Sequence, residues 1–163
     1  MTENPVDESV VAVETTRFGR IEAPANKVIH LLGGLLGYPK SQRFILWNHE
    51  DSKLRWLQSL DEGSLAMPVT DPKLFFPDYH IKIKRDELAA LRVTSAEELV
   101  VMVILSLRDD PAEMTANLKG PIIIHALRLI GRQVVLKDAP YSTRHLLFPE
   151  LRATRLREPQ VEL

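Results

Sequence analysis

The sequence predicts a mainly β fold: a small, single-domain, β-barrel-like structure of short antiparallel strands with about two or three short helices. Two observations support this prediction. Short apolar runs recur along the chain, and each is bounded by Gly, Pro, Asp or Asn, the residues that form turns. The rhythm of long helices between strands, which parallel sheets require, is absent. About nine or ten short strands would need a closed barrel or paired sheets to protect their edges.

The segment 98–148 is the centre of the predicted fold. It opens with an apolar run at 99–105, in which four of the seven residues are β-branched, as is typical of a strand buried on both faces. Further runs at 122–124 and 133–136 follow turns, so the segment predicts a three-stranded meander. The predicted core residues are Trp56, Val101, Val103, Leu105, Ile123 and Val135.

The N-terminal half predicts two hairpins and one further strand. Strands at 16–23 and 28–32 flank a turn that contains Pro24, and strands at 44–47 and 54–59 flank a polar turn. The third strand, at 65–70, contains a proline, which favours a sheet edge or a bulge.

Helical elements are predicted between these strands and the central segment. Residues 80–84 alternate polar with apolar side chains, and 85–91 should form a short helix with Asp86 as its N-cap. Residues 95–98 should add a single helical turn before the central strand.

Length and charge pattern predict one domain with two tails. The 163 residues divide into an acidic N-terminal tail at 1–14, either disordered or adding a strand, a barrel-like domain at 15–148, and a charged C-terminal tail at 149–163. The absence of cysteine excludes disulfides and thiolate metal sites.

Charge and hydropathy argue against several classes of partner. The formal net charge of −1 gives no field that favours nucleic acid or an anionic membrane. No apolar run approaches the ~18 residues of a membrane span, and 1–14 lacks the basic and apolar regions of a signal peptide. We therefore expect a cytoplasmic protein that binds neither nucleic acid nor membrane directly.

Metal and cofactor motifs are not found in the sequence. The histidines have no spacing typical of a zinc site; they are His30, His49, His80, His125 and His145. The glycines at 33, 34 and 37 match neither the dinucleotide nor the phosphate-binding pattern and indicate a flexible loop. We expect no metal and no cofactor.

One short segment offers groups that a hydrolase could use. Ser142 and His145 place a hydroxyl near an imidazole, and Asp71 or Asp78 could supply a carboxylate. The alternative is a turn in which the hydroxyls at 142–143 bond to the backbone, which is the commoner role of Ser and Thr in such segments.

Two other segments are candidates for binding or for packing. The stretch 74–79 concentrates aromatic residues in a turn, where they could anchor a partner or fill the mouth of a barrel. Asn117 lies in a turn between two predicted strands, where its side chain could satisfy backbone groups that the turn leaves unpaired.

Several motifs, taken in order, resemble the flagellar assembly factor FliW family. They are TRFG at 16–19, WLQS at 56–59, DPKLFFPDY at 71–79, MTANLKGP at 114–121, GRQVVL at 131–136 and YSTRH at 141–145. The resemblance implies a β-barrel-like cytoplasmic protein without enzymatic activity, monomeric when unbound. It also implies two partners: newly made flagellin and, alternately, the translational regulator CsrA, whose capture relieves repression of flagellin mRNA.

The chain departs from the family pattern at 31–38, where an acid and a proline are missing, and in its nearly neutral charge. The alternatives to the family function are a small hydrolase using Ser142 and His145, and a nucleic-acid-binding β-barrel. The candidate partner-binding residues are Phe75, Phe76, Pro77, Asp78, Tyr79, Asn117, Leu118, Pro121, Tyr141 and Arg144.

Overall fold

The computed structural model describes residues 9–48 and 53–157. Within these residues the chain forms eleven strands and two α-helices. The strands are β1 Val10–Thr15, β2 Gly19–Pro24, β3 Ile29–Leu31, β4 Arg43–Trp47, β5 Arg55–Ser59, β6 Ala66–Thr70, β7 Leu99–Ser106, β8 Thr115–Ala116, β9 Ile122–His125, β10 Ile130–Gln133 and β11 His145–Leu146. The helices are α1 Arg85–Ala90 and α2 Pro149–Arg157.

Seven of the strands close into a barrel. Their order is β7-β6-β5-β4-β3-β10-β9, and β9 returns to pair with β7. Neighbouring strands are antiparallel except β3 and β10, which are parallel. Closure of this kind removes most of the sheet edges. The predicted mainly β, barrel-like fold with short helices is therefore confirmed.

Strand β7 contributes to packing on both faces of the barrel wall. Met102 and Ile104 belong to the cluster inside the barrel, together with Phe44 and Leu57. The odd-numbered side chains point outward, where Val103 is fully buried beneath loops that cover the wall. The apolar character of almost every residue in this strand follows from its having two covered faces.

The predicted meander is confirmed in its order but not in its last strand. Strands β7, β9 and β10 are successive antiparallel neighbours, but β10 lies three residues earlier than the predicted run at 133–136. Gly131 explains the error. Glycine is typical of turns, yet Gly131 lies within the strand. Only glycine fits there, because a Cβ would approach the carbonyl oxygen of Ile123 to 2.7 Å. Val135 is consequently 46% exposed, so its predicted core position is wrong.

The other predicted core residues are buried or half-buried. Val103, Leu105 and Ile123 are buried. Val101 and Trp56 are half-buried, and the ring of Trp56 lies under the guanidinium of Arg17 at 4.4 Å.

The first predicted hairpin is wrong, whereas the second, β4 with β5, is confirmed. Strand β2 pairs with β1, and β3 pairs with β4 and β10 instead. Thr15 fixes the β1–β2 turn, since its hydroxyl donates to the carbonyl of Gly19 at 2.7 Å and accepts from the Phe18 N–H at 2.8 Å. Part of the predicted acidic tail is thus a strand; residues 1–8 lie outside the described residues.

The helical elements differ from the predictions in detail. Helix α1 begins after Lys84, and Asp86 lies in its first turn rather than at the cap, so the predicted N-cap is wrong. Residues 80–84 lie in no strand, although Ile81 and Ile83 are half-buried against the outer clusters. Helix α2 lies in the predicted charged C-terminal tail.

Truncation of Val103 to Ala should lower the free energy of unfolding by about 2 to 4 kcal/mol, because the removed methyl groups leave a cavity at a fully buried site. Chemical denaturation measures this directly. A loss below about 1 kcal/mol would contradict the position of β7 between two packed faces.

Asp61 should make the fold sensitive to acid. Its carboxylate accepts from the backbone N–H groups of Gln42 and Arg43, at 2.9 and 3.0 Å, and from the Arg43 guanidinium at 2.9 Å. Partial burial opposes ionisation, but these hydrogen bonds outweigh it and lower the pKa of Asp61. The folded state therefore binds this proton more weakly than the unfolded state, and the stability that the carboxylate contributes is lost as pH drops below about 4. Asp61→Asn should flatten that decline in unfolding measured from pH 7 to pH 3; an unchanged slope would contradict this role.

Candidate functional site

The candidate site is built from three loops over the outer face of β7. The first is the aromatic turn, residues 71–79, which follows β6 directly. Asp71 accepts from the Lys73 N–H at 3.0 Å and so caps the single turn Pro72–Leu74. The N–H groups of Phe76 and Tyr79 then bond to carbonyls three or four residues earlier, which keeps the loop compact.

Tyr79 ties the aromatic turn to the other two loops. It is 5% exposed, and its hydroxyl donates to the carbonyl of Leu118 at 2.7 Å. Its ring lies 4.8 Å from that of Tyr141. Burial raises the pKa of Tyr79 well above its usual range, so the hydroxyl stays protonated and remains a donor.

The second loop, residues 117–121, is fixed by the side chain of Asn117. Its carbonyl oxygen accepts from the N–H of Gly120 at 2.9 Å, so the predicted structural role of this residue is confirmed. The N–H groups of Leu118 and Lys119 both lie 3.2 Å from the carbonyl of Ser142, which joins this loop to the third.

The third loop, residues 141–145, adds rings to the same cluster. The Tyr141 hydroxyl accepts from the N–H of His80 at 3.0 Å, and His145 lies 6.1 Å from Phe76 between ring centroids. We call this set the aromatic cluster. Its members are Phe75, Phe76, Tyr79, Tyr141, His145 and Phe148.

The structure brings all the candidate partner-binding residues into this region, but with different exposure. Tyr79, Leu118 and Pro121 are buried; Phe75, Phe76, Asn117 and Tyr141 are half-buried; Pro77, Asp78 and Arg144 are exposed. Their part in partner binding stays a prediction. Sequence reasoning did not select Leu74 as a binding residue; its side chain is 49% exposed, and it directly precedes Phe75. Its position within the same turn was the available signal.

The groups proposed for a hydrolase are arranged as a turn. The N–H of Ser142 donates to Nε2 of His145 at 2.8 Å, so a backbone amide uses the lone pair that a catalytic base would need. The Ser142 hydroxyl oxygen instead accepts from the N–H of Arg144 at 3.3 Å. Asp71, one of the two possible carboxylates, caps its own turn.

Replacement of these residues should therefore affect stability rather than turnover. His145→Ala removes an acceptor and two ring contacts, and should cost about 1 to 3 kcal/mol; Ser142→Ala should cost less, since its hydroxyl is exposed. Denaturation and an esterase assay with a nitrophenyl ester check both variants. Esterase activity that disappears in Ser142→Ala would contradict this interpretation.

The structure also contains a pair between a histidine and a glutamate, His125 and Glu98, that the sequence did not predict. His125 is 3% exposed; its Nε2 lies 2.7 Å from a Glu98 carboxylate oxygen, and its Nδ1 accepts from the N–H groups of Leu127 and Arg128. A hydrogen bond from Thr94, followed by that from His125, lowers the pKa of Glu98. These contacts fix the β9–β10 turn.

The described part of the chain shows neither a metal-binding cluster nor a membrane-spanning helix. Among residues 9–48 and 53–157, no three His, Cys, Asp or Glu side chains lie close enough together to hold a metal ion; His49 lies outside these residues. Neither helix in the described part of the chain has the length and apolar character needed to cross a membrane.

Comparison with known proteins gives a consistent result. The family model described as FliW protein matches residues 12–147, which include the barrel and all three loops. The flagellar assembly factor FliW of Geotalea uraniireducens is 37% identical over 137 residues, covering 83% of this chain and 83% of the relative. The flagellar assembly factor FliW of Bdellovibrio bacteriovorus is 32% identical over 152 residues, covering 93% of this chain and 87% of the relative.

A solved structure has the same fold. The crystal structure of the flagellar assembly factor FliW superposes with a TM-score of 0.80 at 30% identity, and covers 85% of this chain and 97% of that chain. The barrel with its aromatic loops thus places the chain in a class of proteins named as assembly factors rather than enzymes. The chain belongs to the FliW family.

Proposed function

We propose that this protein is a non-enzymatic flagellar assembly factor that acts in the cytoplasm. It binds flagellin and, alternately, CsrA, and the capture of CsrA relieves repression of flagellin mRNA translation. The observation that carries the proposal is the family match across 12–147, which spans every strand of the barrel and each loop of the aromatic cluster.

The surface over β7 has the composition expected of a protein-binding site. The half-buried rings of Phe75, Phe76 and Tyr141 are flanked by the exposed side chains of Asp78 and Arg144. Aromatic anchors inside a polar rim are typical of the centres of protein interfaces. The hydrogen bonds among the three loops hold these rings in place, which reduces the entropy that a partner's binding must overcome.

A single shared surface would explain why the two partners alternate. The net charge of −1 gives little long-range attraction or repulsion, so recognition should depend on apolar contacts at this surface. On this account CsrA releases its mRNA because the assembly factor covers CsrA. A strongly acidic surface that repels RNA is not required.

The exposed leucine of the aromatic turn offers a direct test. Tagged wild-type protein, expressed in flagellated cells, should co-purify with flagellin and CsrA, and Leu74→Asp should recover less of both, since a charge would enter an apolar contact. Leu127→Asp is the matched control, because this side chain is 85% exposed in the β9–β10 turn, outside the aromatic cluster. Absence of both partners from the wild-type sample would contradict the proposed function.

A further inference from the structure

Strand β7 has an unpaired edge, although the barrel is closed. On one side it pairs with β9 over Leu99–Met102 and with β8 at its end. On the other side β6 pairs with only two residues, through Thr70↔Val103 and Val69↔Ile104. After Thr70 the chain leaves the sheet to form the aromatic turn, so among residues 9–48 and 53–157 no strand lies beside the first half of β7 on that side.

The hydrogen bonds show which backbone groups face this open edge. The carbonyls of Glu98 and Ile104 accept from Ala126 and Asn117, which lie on the β9 and β8 side. Because backbone groups alternate between the two edges of a strand, those of Leu99 and Val101 face the other side. The Leu99 N–H bonds to the carbonyl of Ala96. Within the described residues neither backbone group of Val101 makes a turn hydrogen bond.

These groups lie in a groove of about 670 Å³. The segment at 80–84 and helix α1 contribute the apolar side chains of Ile81, Ile83 and Leu88 to its lining. The start of β5 and the turn Pro72–Leu74 contribute Arg55 and Lys73. A groove of this size, lined by the Leu99 carbonyl and by both backbone groups of Val101, fits a short length of extended chain.

The charges of the groove indicate what kind of chain it would accept. Neither Arg55 nor Lys73 forms an ion pair within the described residues, and both side chains are exposed. The one acid of the lining, Asp71, is already the acceptor for the Lys73 N–H. An acidic side chain on the incoming segment would therefore meet two cations.

We propose that the open edge of β7 binds an extended peptide segment by β-strand addition. The segment carries β-branched or other apolar residues at alternate positions, which face Ile81 and Ile83, and an acidic residue that faces Arg55 and Lys73. Its main chain pairs with both backbone groups of Val101 and with the carbonyl of Leu99. This inference goes beyond the proposed function, because it concerns a backbone edge rather than the aromatic surface.

The test begins with a library of random heptapeptides displayed on phage and selected on the purified full chain. Selected sequences should alternate apolar with polar residues and contain Asp or Glu. In the free protein the Val101 amide should exchange with solvent, and saturating synthetic peptide should slow its exchange by at least about tenfold, measured by NMR. The Val103 amide, paired with Thr70, should stay protected throughout and serves as the internal reference.

Two chemical changes separate strand pairing from other binding. Methylation of the peptide nitrogens that face β7 should weaken binding by at least about tenfold, whereas methylation of the alternate nitrogens should not. Lys73→Glu should weaken it by about three- to tenfold, and Lys27→Glu, an exposed lysine outside the groove, should not.

Selection of no peptide would overturn the proposal. So would selected peptides that leave Val101 exchange unchanged, equal affinity for both methylated forms, or protection of Val101 by self-association of the chain. Flagellin and CsrA play no part in these measurements, so their outcome is independent of the proposed function.

Discussion

Replacing Phe44 by Ala should lower the free energy of unfolding by about 3 to 5 kcal/mol, the largest single loss we expect in this protein. Phe44 is fully buried in β4, and its ring fills the barrel interior between Ile29 and Leu57. The seven paired strands form a closed barrel, so its wall cannot collapse far into the space that the ring leaves. Urea denaturation of the wild type and the variant measures the difference.

Tyr38→Ala is the matched control, because it also deletes an aromatic ring, but at a site that is 41% exposed. It should change stability by no more than about 0.5 kcal/mol. If the two variants lose similar stability, the ring of Phe44 does not fill the interior as described.

Replacing Phe76 by Ala should weaken the binding of flagellin and of CsrA by about thirtyfold, or about 2 kcal/mol. The ring is half-buried: one side packs on the cluster that covers Val103, and it contacts His145 at 6.1 Å. Truncation should therefore also lower the melting temperature. Affinity must be measured well below that temperature, where the variant remains folded, so that lost binding reports on the surface.

Phe18→Ala provides the comparison for Phe76. Phe18 is another half-buried phenylalanine; it lies in the β1–β2 turn and packs on Trp47 and Trp56, away from the aromatic cluster. The Phe18→Ala variant should lose stability but keep its affinity for flagellin and for CsrA. Normal affinity for both partners in Phe76→Ala would remove the aromatic turn from the interface.

The sequence allowed prediction of the strands but not of every pairing. Runs bounded by Pro24 or Gly63 could be located, since turn residues act locally. The parallel contact between β3 and β10 joins segments about a hundred residues apart, with no crossover helix to signal it. The first hairpin was assigned wrongly for a related reason. Strands β1 and β3 are both neighbours of β2 in the sequence, and the local pattern does not show which of them pairs with β2.

The candidate site was predictable in its residue types rather than in its geometry. The concentration of aromatic residues at 74–79 was visible, and so was the capping role of Asn117, because both depend on neighbouring residues. The bond from Tyr79 to Leu118 and the contact with Tyr141 depend on how three distant loops meet over β7. The open edge of β7 could not be predicted at all. It exists only because β6 ends at Thr70, where just two of its residues have paired with β7.

The most direct test of the central claim is a competition measurement with purified components. Labelled CsrA is bound to the protein at a concentration near its dissociation constant, and unlabelled flagellin is then added while fluorescence anisotropy reports free CsrA. If one surface serves both partners, flagellin should release CsrA completely, and Leu74→Asp should bind neither protein with wild-type affinity. A ternary complex at saturating flagellin, or no binding of either protein, would contradict the account.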